Sequence, residues 1–343
     1  MLAAIALTAI GTLAARADAP KAEPTTDSTD LSWRFEHANP ETYITWRRFA
    51  ATGISNAGVQ SNVTTEIRSH TIGLPTDDGR LPITFGEVNT RVEQDGNLLF
   101  EYIDQRDREN SQYVLAPLIR DWTAMKDLAL TTRVTEDGRV IAIDPKSHER
   151  FLWGMIDFLE GHGREFVNQF RVKNEEWPAQ RFANLLTQKL RLLPAAELEP
   201  GDTFTITGGE PANSLGDLQL EETYTVVGTE QRDGVTVLIA TGTGRVLDIF
   251  GAQGERFGGT VKLLESAIES ELAYLPSEGR VWSHRRRITV KVRASVVSPV
   301  DGTEVTNAVT AEIERWFADT DAAQPAPEVL SAPGAINKGI FGK

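Results

Sequence analysis

The pattern of hydrophobic and polar residues divides this chain into a central helical block with strands on both sides. Outside the block, apolar residues alternate with polar ones along long runs, which is the period of a half-buried β-strand. Asp95-Gly96, Asp137-Gly138 and Asp233-Gly234 separate neighbouring runs, and such pairs are typical of tight hairpin turns. The pattern therefore predicts an antiparallel sheet within one β-rich domain that covers residues 31–318.

Between Asp144 and Pro194 the hydrophobic period becomes that of a helix. Asp144 can accept hydrogen bonds from the N–H groups of a first turn, and a proline at position 145 loses nothing there by lacking its own N–H. Gly161 and Gly163 predict the end of this helix, because glycine readily adopts the left-handed conformation that closes a last turn. We therefore expect a helical block at 144–194, inserted between the strands.

The rest of the block continues the helical pattern. A segment with Phe166, Val167 and Phe170 follows the glycines, and Pro178 then opens a further helix that ends before Pro194. The apolar stripes of the block either pack as core on the sheet or form the wall of a cavity for an apolar ligand. The candidate lining residues are Leu152, Met155, Ile156, Leu159, Phe182 and Leu186.

Runs of strands interrupted by one helical insertion are typical of the α+β class. We expect a large curved antiparallel β-sheet, either open or a half barrel, with the central helical insert packed on its concave face. The longest predicted hairpin joins Thr260–Leu275 to Val281–Val297. Matching acids with bases and apolar residues with one another fixes its register. The expected pairs are Leu275 with Val281, Glu269 with Arg287, Ile268 with Ile288, Glu265 with Lys291 and Leu264 with Val292.

The second strand of that hairpin carries the one basic concentration of the chain. The stripe consists of Arg285, Arg287, Lys291 and Arg293, with Arg286 among them. Two interpretations are open. The stripe contacts an anionic partner, such as a cell-envelope protein or polymer, or it forms cross-strand pairs with the acids of the preceding strand.

The N-terminus resembles a signal peptide. Residues 2–15 are apolar and rich in alanine, and Ala15-Arg16-Ala17 offers small residues for cleavage. We expect a signal peptide at 1–17, a flexible lead-in at 18–30 and a flexible tail at 319–343. The protein would then be exported, to the periplasm or the outside of the cell, and soluble after signal cleavage.

The composition of the chain excludes several kinds of partner and of chemical site. The formal net charge of −14 argues against nucleic acid as a partner, because phosphates would be repelled. The absence of cysteine excludes disulfides, thiolate metal sites and a cysteine nucleophile. Glu160, His162 and Glu165 form the one tight cluster of histidine and acids, and it straddles a predicted helix end. We assign no catalytic residues, no metal site and no cofactor, although a pair of carboxylates for glycoside hydrolysis could not be singled out from so many acids.

This layout of long strands, a helical insert and an export signal resembles the outer-membrane lipoprotein carrier and LppX-like group. It also resembles uncharacterised exported bacterial proteins with a passage of the form LLP…PGDTF, which here is Leu192–Pro194 and Pro200–Phe204. The resemblance spans roughly Leu31 to Ala318. It implies a curved open sheet that holds an acyl chain against its helices, and hence a lipid or acyl ligand.

Three functions follow as hypotheses. The first is an exported, non-catalytic binding or carrier protein for an apolar, lipid-like ligand. The second is an interaction or structural protein of the cell envelope without a small-molecule site. The third is a hydrolase whose active site the sequence does not reveal.

Overall fold

The computed structural model describes residues 28–35, 39–55, 58–114, 116, 119–163, 178–190, 192–232, 234–251, 260–297 and 304–320. The predicted signal peptide, the lead-in up to residue 27, the segment with Phe166, Val167 and Phe170, and the tail beyond residue 320 lie outside the described residues. Within the described part, no helix is both long enough and apolar enough to cross a membrane.

Most of the described chain is strand. The strands are β1 Thr29–Asp30, β2 Glu41–Ser55, β3 Gly58–Ile72, β4 Leu81–Gln94, β5 Asn97–Ile103, β6 Ala129–Val134, β7 Val140–Ile143, β8 Glu197–Leu198, β9 Thr203–Pro211, β10 Asp217–Arg232, β11 Val235–Phe250, β12 Thr260–Leu275, β13 Arg280–Val297 and β14 Glu304–Asp319.

Twelve of these described strands form one open, curved antiparallel sheet, as the alternating pattern predicts. Its order is β7-β6-β4-β3-β2-β14-β13-β12-β11-β10-β9, and β5 adds to β4. Almost every neighbouring pair is a hairpin, and β14 returns to close against β2 in the middle of the sheet. β1 and β8 form a separate two-stranded sheet, in which Thr29 lies opposite Leu198. Thr29 and Asp30 are therefore strand and not part of the flexible lead-in.

The helices are α1 Asp104–Asp107, α2 Ser111–Val114, α3 Arg120–Met125, α4 Pro145–Gly161 and α5 Ala179–Leu190. α4 begins as predicted: the side chain of Asp144 accepts a 2.8 Å hydrogen bond from the N–H of Ser147. α4 ends at Gly161, and Gly163 has the expected positive φ of 86°. The prediction that only the central block is helical is wrong, because α1 to α3 precede it. These three helices are too short to produce a recognisable apolar period.

α4 and α5 lie on the concave face of the sheet, as predicted for the insert. α5 packs against both β7 and β9, the two end strands. The hydroxyl of Thr187 accepts a 2.9 Å hydrogen bond from the N–H of Val140 in β7. On the other side, Gln188 approaches Gly209 of β9. α5 thus spans the gap that the open sheet leaves between its two ends.

The register of the β12–β13 hairpin is confirmed through its middle. Glu269 lies opposite Arg287, Ile268 opposite Ile288 and Glu265 opposite Lys291. The same register places one row of side chains toward the core and the other toward solvent.

The predicted register is wrong by one residue at both ends of the hairpin. Tyr274, and not Leu275, lies opposite Val281, and Leu263, and not Leu264, lies opposite Val292. The cause is an irregularity near each end, where one strand carries an extra residue, as in a β-bulge. An alternating pattern does not mark such an insertion, so complementarity alone could not reveal it. At the other end of the sheet, Asp319 is the last residue of β14 and not the first of the tail.

The glycines of β11 allow two strands to approach closely. β11 runs through Gly242-Thr243-Gly244 without a break. A Cβ atom on Gly244 would lie 2.2 Å from the carbonyl oxygen of Glu221 in β10. Only glycine leaves room for the backbone at this point.

We therefore expect Gly244→Ala to lower the free energy of unfolding by about 1–3 kcal/mol, because the backbone of β10 must move to admit the methyl group. Urea denaturation measures the change. Gly208→Ala is the matched control, since a Cβ atom at Gly208 of β9 would meet no atom of the described residues within 4 Å. An equal loss in both variants would contradict the packing explanation.

Two apolar clusters of described residues occupy the concave side. The first lies under the helices and joins Phe151, Leu152 and Phe182 to Ile83, Phe85 and Tyr224 of the sheet. The second contains Phe49, Leu218, Leu220, Val246, Ile249, Ile268, Ile288, Val290, Val292, Ala311 and Ile313, together with Ala212 and Leu215 of the β9–β10 connection. Along β13 the first cluster ends at Val281 and the second begins at Ile288. His284 and Arg286 lie between them, on the same face.

Candidate functional site

A band of buried charged residues crosses the concave face between the two apolar clusters. Arg47 of β2 lies opposite Arg315 of β14, and Arg315 lies opposite Arg286 of β13. All three arginines are buried, with at most 8% of each residue exposed. Like charges directly opposite one another repel, and burial removes the water that would screen them. This row therefore requires carboxylates from elsewhere in the fold.

Glu210 of β9 supplies the central carboxylate. Its side chain is fully buried, and it reaches the arginine row because the curved sheet brings β9 over the inner face of β2 and β14. It accepts a 2.8 Å hydrogen bond from Arg315 Nη1 and 3.3 Å bonds from Arg286 Nη1 and Arg47 Nε. One carboxylate of β9 thus binds arginines of three other strands, each at least 76 residues away from it along the chain.

Two further glutamates complete the band. Glu66 of β3 lies 3.4 Å from Arg47 Nη1 and 2.8 Å from Arg68 Nη2. The guanidinium of Arg68 also stacks on the ring of Trp122 in α3, 3.7 Å from its centroid. At the other end, Glu222 of β10 binds Arg286 at 2.5 Å. Six of these seven residues are buried, while the side chain of Arg68 is 21% exposed. We call the four arginines and three glutamates, which are Arg47, Arg68, Arg286, Arg315, Glu66, Glu210 and Glu222, the buried charge band.

The charge band extends to a histidine. The hydroxyl oxygen of Tyr224 lies 2.8 Å from His284 Nε2 and 3.2 Å from Glu222 Oε1. Burial, and then the charge of Glu222, raise the pKa of Tyr224 above its ordinary value. The phenol therefore stays protonated at neutral pH, as suits a hydrogen-bond donor within the band.

The pKa of Glu66 shows how the band depends on pH. Burial raises this pKa, but the charges of Arg68 and Arg47 outweigh burial and hold it below its ordinary value. The depressed pKa contributes stability that is present above the ordinary glutamate range and is lost as the pH falls through the folded-state pKa. We expect stability to fall as the pH drops below about 4.3. Urea denaturation across this range should give a steeper loss for the wild type than for Glu66→Gln, and equal slopes would contradict the assignment.

Two cavities lie between the charge band and the helices in the described part of the chain. The larger has a volume of about 200 Å³ and is lined by Thr45, Arg47, Glu66, Arg68, Trp122, Leu185, Gln188, Glu210, Pro211, Asn213 and Arg315. The smaller, of about 80 Å³, is lined by Thr187, Gln188, Leu192, Ile206, Gly208, Gly209, Tyr224, Leu272, His284 and Arg286. Gln188 of α5 lines both. A ligand in this region would meet charged groups on the sheet side and apolar groups at α3 and α5.

The six predicted ligand-lining residues come together, and they lie beside these cavities in the first cluster. Each of them is no more than 3% exposed. The Phe182 ring packs against Phe151 with centroids 5.1 Å apart and planes at 74°. Other residues line the two cavities described above, so direct ligand contact stays a prediction for the set Leu152, Met155, Ile156, Leu159, Phe182 and Leu186.

The predicted basic stripe lies on the opposite, convex face. Arg285, Arg287, Lys291 and Arg293 are all exposed, while Arg286 between them points inward. Lys291 pairs with Glu265 at 2.6 Å, and Arg287 pairs with Glu312. The pair of Lys291 with Glu265 of β12 agrees with the second interpretation, whereas Arg287 pairs with an acid of β14 and not with Glu269 of the preceding strand. Contact with an anionic partner stays a prediction.

Surface pairs of this kind contribute little to stability. We expect Lys291→Met to change the free energy of unfolding by less than about 1 kcal/mol, because both partners remain hydrated when the pair is broken. A double-mutant cycle with Glu265→Gln in urea measures the coupling between the two side chains. A coupling energy well above that range would show that the stripe is held as a rigid ladder.

In the predicted cluster of Glu160, His162 and Glu165 at the end of α4, the histidine ring contacts backbone carbonyl groups. His162 Nδ1 lies 2.8 Å from the carbonyl oxygen of Phe158, and Nε2 lies 3.2 Å from that of Arg108. Glu165 lies outside the described residues. Among the residues that are described, no group of three or more histidines or acids is placed to hold a metal ion.

The sequence contains a signal from which the inward-facing arginines of the charge band could have been predicted. Arg47 lies two residues before Phe49, and Arg315 lies between Ile313 and Phe317, so each arginine occupies a core-facing position of an alternating strand. Arg286 likewise shares a face with Ile288, although it lies in sequence among the arginines of the solvent-facing stripe. A charged residue at a core-facing position needs a buried partner, and several such positions in one sheet indicate a shared network.

Comparisons with known proteins yield structural similarity alone. A scan against protein-family models matches none, and a search of curated proteins finds no similar sequence. Among solved structures, lipovitellin, described with its lipid–protein interactions, aligns with a TM-score of 0.41 and 12% identity over 85% of this chain. The chain spans about a quarter of lipovitellin, 26% of its length. A domain from Vibrio parahaemolyticus described as outer membrane lipoprotein-sorting aligns with a TM-score of 0.13 and 6% identity, over 84% of this chain and 88% of that domain. TM-scores this low support no functional inference, so function has to be inferred from the site.

Proposed function

We propose that this protein is an exported, non-catalytic binding or carrier protein for an apolar, lipid-like ligand. The ligand lies between α5 and the concave face of the sheet. One observation carries the proposal, namely the cavity of about 200 Å³ that Trp122 and Leu185 share with the charge band. A concave space that joins apolar side chains to a few convergent charged groups beneath a helix is the usual form of a ligand site.

The position of α5 supports a binding role. α5 spans the two ends of an open sheet, and so it covers the cavities without being part of the sheet's hydrogen-bonded ladder. A ligand could enter if α5 shifted, while the strands kept their pairing. Export, to the periplasm or beyond the cell, is proposed from the N-terminal sequence.

Native mass spectrometry tests the proposal, on mature protein purified from its own host and followed by organic extraction. We expect a co-purified lipid in stoichiometric amount. Leu185→Trp should lower the bound fraction, because the larger side chain fills the cavity. Leu99→Trp is the matched control, since Leu99 is 60% exposed on β5.

A mass equal to the bare processed chain, with no extractable lipid, would overturn the proposal. Attention would then move to the outer surface and to the alternative of an envelope interaction protein. The convex basic stripe would be the first surface to mutate.

A further inference from the structure

We infer that the larger cavity binds a singly charged oxyanion, of the carboxylate type, at the head of the apolar ligand. The groups that would hold it are Arg68, Arg315 and Thr45. The apolar part of the inference rests on the function proposed above. The anion part rests on the charges and hydrogen bonds of the cavity wall.

The charge balance of the band favours an anion. Its four guanidinium groups face three carboxylates, which leaves one positive charge in excess among these described residues. Arg315 is buried and Arg68 is partly buried, with 21% of its side chain exposed. Removing such charges from water without a counter-charge is costly, so a monoanion in the cavity would complete the network. A dianion would reverse the imbalance.

The shortage of carboxylates affects two of the four arginines most. Burial lowers the pKa of both Arg68 and Arg315 below the ordinary value, and pairing with Glu66 and Glu210 does not restore it. Arg286 differs, because Glu222 and Glu210 outweigh burial and raise its pKa. Arg68 and Arg315 are also near enough for their charges to repel. An anion between these two would relieve both.

Hydrogen bonding selects the same residues. Nε of Arg68, Nε of Arg315 and Oγ1 of Thr45 are buried atoms without a hydrogen-bond partner in the described part of the chain, and all three residues line the larger cavity. Unpartnered buried donors are rare in native proteins. The hydroxyl and the two N–H groups are all able to donate, which is what an oxyanion requires, and they reach one in the cavity once their side chains turn toward it.

The other charged groups of the wall are already engaged. Arg47 donates to Glu210, Glu66, Asn213 and the carbonyl oxygen of Pro211. Both glutamates accept from arginines of the band. This places the anion on the side of Arg68, Arg315 and Thr45.

The apolar part of the ligand has a neighbouring surface. Trp122 and Leu185 line the same cavity. Beyond Gln188, the smaller cavity adds Leu192, Ile206 and Leu272. An amphiphile with a carboxylate head and a medium-length chain matches this sequence of polar and apolar walls.

Isothermal titration calorimetry of the delipidated full-length mature protein tests the inference, with decanoate, decan-1-ol and acetate as probes. We expect decanoate to bind at least about tenfold more tightly than decan-1-ol, since a hydrogen bond to a charged group contributes about this factor. Acetate should bind far more weakly than decanoate, because it lacks the chain.

Single substitutions test which side chains contact the anion. Thr45→Val removes an unpartnered hydroxyl, so it should leave the thermal stability unchanged and weaken decanoate binding by about tenfold. Arg315→Met should remove the preference for decanoate over decan-1-ol. Arg285→Met, an exposed arginine on the convex face, is the matched control and should bind as the wild type does.

Each of the other possible outcomes overturns one part of the inference. Equal binding of decanoate and decan-1-ol would overturn the anion site and leave the proposed function intact. Equal binding of acetate and decanoate would show a site for a free anion and overturn the amphiphile. Unchanged binding by Thr45→Val and Arg315→Met would overturn the assigned residues. If neither long-chain probe binds, the anion site fails, and lipid extraction decides the proposed function separately.

Discussion

Glu210→Gln should lower the free energy of unfolding by about 3–5 kcal/mol, the usual result of removing one member of a buried ion network. The glutamine keeps the shape of the side chain but removes the charge that Arg47, Arg286 and Arg315 share. Three guanidinium groups would then remain in one row, with only Glu66 and Glu222 of the band to compensate them. Urea denaturation at neutral pH measures the loss.

The control for this variant is the same substitution on the other face. Glu265→Gln breaks a pair with Lys291 in which the glutamate side chain is 69% exposed, and it should cost less than about 1 kcal/mol. A small loss for Glu210→Gln as well would mean that water reaches the band and screens it. The cavity would then be hydrated, and the case for a bound anion would weaken with it.

The charge band occupies positions on the concave face that apolar residues could fill. A row of apolar residues at the positions of Arg47, Arg286 and Arg315 would join the two clusters into one continuous core. The charge band instead separates them and binds β9 to β2, β13 and β14 through a single carboxylate. Buried ion pairs are weak devices for stability, so their presence at a cavity wall favours a role in ligand recognition.

The sequence predicted what depends on local periodicity and missed what depends on curvature. Alternation gave the antiparallel sheet, and Asp144-Pro145 gave the start of α4, because both are set by neighbouring residues. The register of β12 and β13 followed from side-chain complementarity until an extra residue shifted it near each end. The meeting of Glu210 with Arg47 could not be predicted, because 163 residues separate them and only the curvature of the whole sheet brings them together.

The residues of the candidate site also fall into those that local periodicity reveals and those that only the folded sheet brings together. The stripe from Leu152 to Leu186 was recognised, since helical spacing is visible in a single segment. Whether such a stripe faces core or cavity depends on what packs opposite, and no segment contains that information. Arg68 and Thr45 were missed because the cavity that they line is formed together with residues of α3, α5, β9 and β14.

Phe182→Ala distinguishes the two interpretations of that stripe. Phe182 is fully buried and contacts the rings of Phe151 and His148, at 5.1 Å and 5.6 Å between centroids. If it fills the core, its truncation removes a buried aromatic ring and leaves a cavity, at a cost of about 3–5 kcal/mol. We expect this result in urea denaturation of the protein after lipid removal.

Phe250→Ala is the matched control, since Phe250 is 51% exposed at the end of β11. This substitution should lower the free energy of unfolding by less than about 1 kcal/mol. A similarly small loss for Phe182→Ala would contradict the core interpretation, because a ring that borders empty space has few contacts to lose. The six stripe residues would then belong to the wall of the ligand site itself. With the expected large loss, the stripe instead anchors α4 and α5 to the sheet. The proposed ligand would then occupy the cavities beside the stripe, where Trp122 and Leu185 meet the buried charge band.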